Sequence, residues 1–194
     1  MRSLSRIARV AGSAVGVLSL AAVSAGCGQQ TASGTVHAAA PVKYHFYETV
    51  LTGGMTGKPG WPEFEPADFT LPANADVTMT ITSFDDGAAA PPAEYGNVQG
   101  TAGGAETVNG RTVTKVPVAN VAHTFTITDL KLNVPIPVAA SAQKPAVVTF
   151  SFHTPKSGVY TWQCYAPCGS GSDGWGGPMV TDGYMTGKVT FSDN

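Results

Sequence analysis

An all-β sandwich of about seven or eight short strands is the fold class this sequence predicts. Three observations carry the prediction. Thr and Val, which favour pleated surfaces, are abundant, while Leu is scarce beyond residue 26, at Leu51, Leu71, Leu130 and Leu132. Apolar residues alternate with polar ones in run after run. No helical period survives over ten residues in the body of the chain.

The strands follow in order. Lys43 to Val50 and Phe69 to Leu71 are the less regular first two. From Asp76 to Thr82, Val77, Met79 and Ile81 face one way and Thr78, Thr80 and Thr82 the other, the mark of a half-buried strand. Val121, His123, Phe125 and Ile127 alternate with Ala122, Thr124, Thr126 and Thr128. Val148, Phe150 and Phe152 alternate with Val147, Thr149 and Ser151, and Tyr160, Trp162 and Cys164 with Val159, Thr161 and Gln163. Val189 and Phe191 mark the last strand. Turn signals separate these runs: Pro72-Ala73-Asn74, Pro155-Lys156-Ser157-Gly158 and Asp182-Gly183. Residues 84–110, rich in Ala, Pro and Gly, break the alternation and are expected to form a mobile surface loop inserted between strands.

Composition narrows the function classes. Eleven basic against 13 acidic residues exclude a strongly basic nucleic-acid binder, and 43% hydrophobic residues suffice for a core. The first 26 residues read as an address. Arg2, Arg6 and Arg9 precede the uncharged apolar stretch Val10–Val23, which is too short for an ordinary spanning helix. Ser24-Ala25-Gly26-Cys27 resembles a lipoprotein signal, in which Cys27 becomes the lipidated first residue. Residues 27–41 form a polar tether, and 42–194 the folded domain. Without the signal, eight basic residues face the 13 acidic ones, and the domain is mildly acidic. The expected place is the outer face of the cell membrane, on a lipid anchor.

One stretch near the C-terminus carries chemistry. Cys164 closes a strand on the face of Tyr160 and Trp162, so its sulfur is expected to point inward. Cys168 follows after three residues, and Met179 and Met185 lie between it and the last strand. His123 lies on the core-facing side of its own strand. One imidazole, two thiols and one or two thioethers could therefore meet at one end of the sandwich. Soft sulfur donors with one imidazole suit copper better than calcium or magnesium.

The order of a His on one strand, a Cys closing a later strand and a Met before the last strand resembles the cupredoxins. The paired cysteines of CYAPCG resemble the CuA domain of cytochrome c oxidase subunit II. EPADFTLPANADVTMTITS, VAHTFTI and KSGVYTWQC are similar to the strands around that family's site. The resemblance implies a cupredoxin-like Greek-key sandwich with copper held by His123, Cys164, Cys168 and Met179. The Ala166 carbonyl would stand where the family uses a backbone ligand. The sequence departs from the family at the second His: Gly176 stands three residues before Met179, and no His follows His153. The loop before Met179 is also longer, and the family's membrane hairpin has no counterpart. A mononuclear site favouring copper(I) is the more economical expectation.

Plainer readings stand beside this one. In an oxidising compartment Cys164 and Cys168 can form a disulfide, leaving a metal-free binding module on the same scaffold. A membrane thiol oxidoreductase is a third class, though such pairs usually sit at a helix N-terminus. His123 alone would pass for an imidazole satisfied in the core edge; His153 and His45 read as solvated strand residues, and Met185 as core. Asp85-Asp86 is too short a cluster for calcium. With no Ser–His–Asp order, phosphate loop or carboxylate pair, the chain is not expected to be an enzyme. The expected function is a lipid-anchored cupredoxin that binds copper for one-electron transfer or copper handling. Its protein partner would be a redox or copper-transfer protein of unknown identity.

Overall fold

The structure, a computed structural model, describes residues 43–193. The expected signal peptide 1–26, the lipidation site Cys27 and the tether 27–41 lie outside the described residues. Eleven strands run through the rest: β1 (Lys43–Leu51), β2 (Glu63–Glu65), β3 (Phe69–Pro72), β4 (Asp76–Ser83), β5 (Glu106–Val108), β6 (Arg111–Val113), β7 (Val121–Ile127), β8 (Leu132–Pro137), β9 (Ala146–His153), β10 (Gly158–Gln163) and β11 (Thr186–Ser192). The helical content of the described residues is limited to short 3-10 turns.

The strands form two sheets, ordered β2-β1-β4-β9-β5-β6 and β3-β11-β10-β7-β8. Pairing is antiparallel except for β1 with β4 and β3 with β11, which are parallel. The chain weaves between the sheets, from β2 to β3 and back to β4, and from β6 to β7 and β8 before returning to β9. This all-β, two-sheet arrangement is consistent with the cupredoxin-like sandwich expected from the sequence.

The inner faces bury what the alternation marked. Val77, Met79 and Ile81 of β4 are fully buried, as are Phe125 and Ile127 of β7 and Trp162 of β10. Trp162 packs tilted against Phe64 at 4.7 Å and stacks on Phe125 at 5.5 Å between centroids. Its indole N–H donates to the Ala67 carbonyl at 2.7 Å. Such aromatic pairs add about 0.5–1.5 kcal/mol each beyond area burial, and they stiffen the sheet that carries the site.

Four strands go beyond the sequence expectation: β2, β5, β6 and β8. The first three have only three residues each, too few for a period to show. β8 contains Pro135 and Pro137, which argue against a strand interior, and it lies at the edge of its sheet, where missing ladder donors are tolerated.

Residues 84–110 are a packed cover where a mobile surface loop was expected. β5 joins the first sheet beside β9, and the Gln99 amide and carbonyl pair with Asn133 at 2.9 and 3.0 Å. The amide of Asn133, itself buried, donates to the carbonyls of Tyr95 and Asn97 at 3.1 and 2.7 Å. This cover explains why β7 is buried along its whole length and not on alternate residues. Thr124 and Thr126 on its outer side bond each other at 3.0 Å, and Thr126 donates to Asn133 at 2.7 Å.

Candidate metal centre

The second sheet supplies the first donor directly. Val121 and Ala122 open β7, and the register against β8 shifts between Val121 and His123. Irregularities of this kind re-aim side chains next to functional sites. His123 ends fully buried, its ring edge-on to Phe64 with centroids 6.0 Å apart.

Cys164 lies one residue past β10. Its N–H donates to the Met185 carbonyl at 2.8 Å, so it continues the ladder toward β11 before the chain turns away. Its buried sulfur accepts the Thr124 and Ala166 N–H groups at 3.3 and 3.4 Å. The Tyr165 N–H donates to the Thr124 hydroxyl at 2.8 Å, fixing the exit of the strand. The Cys168 N–H then folds back on the Ala166 carbonyl at 2.8 Å. The two thiols are free, with the sulfurs 3.6 Å apart.

The long loop to Met179 closes on itself. Gly169 donates to the Gly174 carbonyl at 2.8 Å, while Ser170 and Gly176 exchange backbone bonds at 3.0 and 2.8 Å. The closure depends on glycine. A Cβ on Gly169 would collide with the Gly176 carbonyl oxygen and lie 2.7 Å from Met179 Cγ. One on Gly176 would lie 2.9 Å from the Ser170 carbonyl oxygen. A 3-10 turn over Gly177–Val180, with Pro178 at its start, then returns Met179 to Cys168 with Sδ 3.3 Å from Sγ.

The four expected donors are thus brought together. One ligating atom each of His123, Cys164 and Cys168 lie within 4.8 Å of one another, a cluster that can hold a metal ion. His123 Nδ1 is 3.3 Å from Cys168 Sγ. Cys168 is the half-buried member and lines a cleft of about 500 Å³ with Asp85, Gly87, Pro167 and Gly169. Met185 adjoins the centre through its carbonyl, and its side chain is buried in the core. Two further histidines have partners of their own. His153 Nδ1 pairs with Asp76 at 2.9 Å, and His45 Nε2 with the Thr80 hydroxyl at 2.9 Å.

Sequence reasoning missed Asp85. Its Oδ1 accepts the Gly87 N–H at 2.9 Å, a local turn that Asp-x-Gly advertises. Its Oδ2 stands 3.0 Å from His123 Nε2. That second contact joins residues 38 apart, one just past β4 of the first sheet and one in β7 of the second, and no local pattern announces it.

The charges centre on one thiolate, Cys164, with protons held on its neighbours. Burial alone would raise Cys164, yet the Cys168 thiol, His123 and the Thr124 amide hold it well below the usual thiol range. Cys168 is pushed far up, first by the adjacent Cys164 sulfur and then by burial, so the pair shares one proton. Burial would lower His123, but Asp85 and the Cys164 sulfur raise it to about 9. Burial likewise opposes ionisation of Asp85, and the His123 contact outweighs it and lowers the carboxyl. Two thiol sulfurs and a thioether are soft donors that suit copper(I), and an imidazole nitrogen is a common copper ligand beside them.

No protein-family model and no curated protein matches the chain. Solved structures with some likeness include reduced rusticyanin, 17% identical over 77% of this chain and 79% of that one, with a TM-score of 0.37. Rusticyanin from Thiobacillus ferrooxidans is 17% identical over 77% of each chain at a TM-score of 0.36. A multi-copper oxidase from Pediococcus acidilactici is 10% identical over 77% of this chain and 26% of that one, at 0.35. Superpositions this loose transfer no residue and no activity; the sandwich stands on its own strand pairing, and the centre on its own distances.

Proposed function

We propose that the protein is an extracytoplasmic, lipid-anchored cupredoxin. It would bind one copper ion through His123, Cys164, Cys168 and Met179, for copper handling or one-electron transfer with a protein partner. The observation that carries this reading is the convergence of an imidazole and two thiols within 4.8 Å, with a thioether 3.3 Å from one of the thiols.

When bound, copper would supply a one-electron couple or a transferable soft cation. The chain's own groups prepare for it. The Thr124 and Ala166 amides hold negative charge on the Cys164 sulfur. Cys168 and the His123 imidazole, both raised, would each give up a proton on binding, so uptake would be coupled to proton release. The buried His123 ring and the Phe64 ring against it shut water away from one side. Cys168 leaves the other side open to the cleft, where a partner could reach it. A copper(I)-selective set with no second imidazole supports handling over rapid electron shuttling.

A second reading rests on the same two sulfurs. At 3.6 Å they need only a small closure to reach the 2.03–2.05 Å of a disulfide. The protein would then be a metal-free binding module.

Metal analysis and thiol titration of the protein, produced with copper available and purified without reductant, decide between them. About one copper per chain, with two thiols released on chelation, is expected. No copper and no free thiol leaves the scaffold module. A strong visible band on addition of copper(II) moves the balance from handling to electron transfer.

A further inference from the structure

We propose that Asp85 is the positioning residue of the centre, holding the His123 imidazole from behind so that Nδ1 faces the sulfurs. The inference deepens the copper reading above and rests on it for its functional meaning. Its geometry stands in the protein alone.

The two ring nitrogens of His123 have different surroundings. Nδ1 lies 3.3 Å from Cys168 Sγ, on the side where the thiols and the thioether converge. Nε2 lies 3.0 Å from Asp85 Oδ2, on the opposite edge of the ring. The carboxylate therefore accepts the Nε2–H and leaves Nδ1 to serve the sulfur side. It does not itself join the donor set, because the imidazole stands between. An imidazole that donates one N–H to a carboxylate is fixed in ring orientation and is a more basic ligand through its other nitrogen.

Asp85 is held as firmly as the ring it holds. Its Oδ1 accepts the Gly87 N–H at 2.9 Å, and its own carbonyl accepts the Ala139 N–H at 2.8 Å. The preceding Phe84 amide bonds the Val50 carbonyl of β1 at 3.0 Å. The side chain is 18% exposed while the imidazole is 0% exposed, so Asp85 lies on the solvent side of the pair and lines the cleft. β7 carries His123 in the second sheet, and Asp85 follows β4 of the first. The contact therefore ties the position of the imidazole to the spacing of the two sheets.

The test uses Asp85→Ala and Asp85→Asn, with two readouts. The first is nitrogen-resolved NMR of the metal-free reduced protein. A downfield, slowly exchanging Nε2–H of His123 is expected in the native protein and lost in Asp85→Ala. The second is copper(I) affinity by competition with a chromogenic chelator. Asp85→Ala is expected to bind about 10–100-fold more weakly. Asp85→Asn, whose amide oxygen can still accept the same proton, is expected to recover most of that loss and keep the Nε2–H signal. An Nε2–H in the native protein that exchanges freely overturns the proposal. So does Asp85→Ala with affinity within twofold of native, or Asp85→Asn as weak as Asp85→Ala while both melt as native. If the native protein binds no copper(I), the copper reading fails by itself, and the NMR comparison still decides the role of Asp85.

Discussion

The buried polar groups around the centre and the two buried acids of the first sheet are placed in opposite ways. In the second sheet and its loops, His123, Cys164, Thr124, Thr126 and Asn133 are all buried, and each has at least one hydrogen-bond partner. In the first sheet, Glu48 of β1 and Glu106 of β5 are each 2% exposed, and none of their carboxyl oxygens has a partner among the described residues. Burial keeps both in the neutral acid form, raising Glu48 well above its ordinary value and Glu106 to about 8. One region spends its interior on a connected set of donors that a cation can complete. The other carries isolated acids whose charging works against the fold. Burial alone therefore does not mark a site; mutual orientation does.

The largest effect should come from breaking the connected set at its centre. Cys164→Ser removes the thiolate while Thr124 and Ala166 still have an oxygen to bond. The fold is therefore expected to survive by circular dichroism. Copper(I) affinity, measured by chelator competition, should fall by on the order of 100-fold or more, since a hard neutral hydroxyl replaces a soft anionic ligand. Retained affinity would mean that the convergence of donors is incidental.

The orphan acids give the next effect, and its sign follows from the direction of their shifts. An acid whose carboxyl is raised in the folded state holds its proton more tightly there than in the unfolded chain. Between the ordinary value of 4.5 and about 8, the folded state thus binds the extra proton, and stability falls as pH rises. The slope is about 1.4 kcal/mol per pH unit for each such carboxyl at its steepest. Urea melts of the metal-free protein should accordingly show greater stability at pH 5 than at pH 8. Glu48→Met should raise stability at pH 7 by about 1–3 kcal/mol, because an apolar side chain of similar size removes an unsatisfied buried group. A stability that rises with pH over this window would show that the acids have found partners.

The contrast also shows what could be read from the chain without coordinates. Period-two alternation located β4, β7, β9, β10 and β11 because each has one face on the core. Edge strand β8 was hidden by its prolines, and β2, β5 and β6 by their brevity. His123, Cys164, Cys168 and Met179 were legible because three of the four lie on one short stretch after β10 and the fourth lies on the inward side of an alternating strand. Asp85 was not, since its partner comes from the opposite sheet. Glu48 and Glu106 were equally hidden. Glu48 stands opposite Ile81 in the pairing of β1 with β4, on the side of the sheet where the alternation of its own strand places Phe46 and Val50. Nothing in the local pattern says that a Glu there will lack a partner. Residues 84–110 look like a loop by composition, and become a cover only because β7 and β8 present Thr126 and Asn133 outward for it to bond.

The smallest effect lies at the rim of the connected set. Met179 is the one donor that carries no charge in any state and needs no proton removed. Its Sδ contacts Cys168, the half-buried thiol, and its side chain packs against the glycine hairpin that returns the loop. Met179→Leu keeps nearly the same volume, so stability should change by less than about 1.5 kcal/mol. Copper(I) affinity should fall by about tenfold, equivalent to 1.4 kcal/mol, well short of the loss for Cys164→Ser. If the centre carries electrons, the variant also changes its reduction potential, which voltammetry of the copper-loaded protein would measure. Equal losses from Met179→Leu and Cys164→Ser would mean that the loop acts as a unit, with the thioether locking both thiols in place. No change at all would make Met179 a core residue that happens to touch sulfur, and would reduce the centre to one imidazole and two thiols.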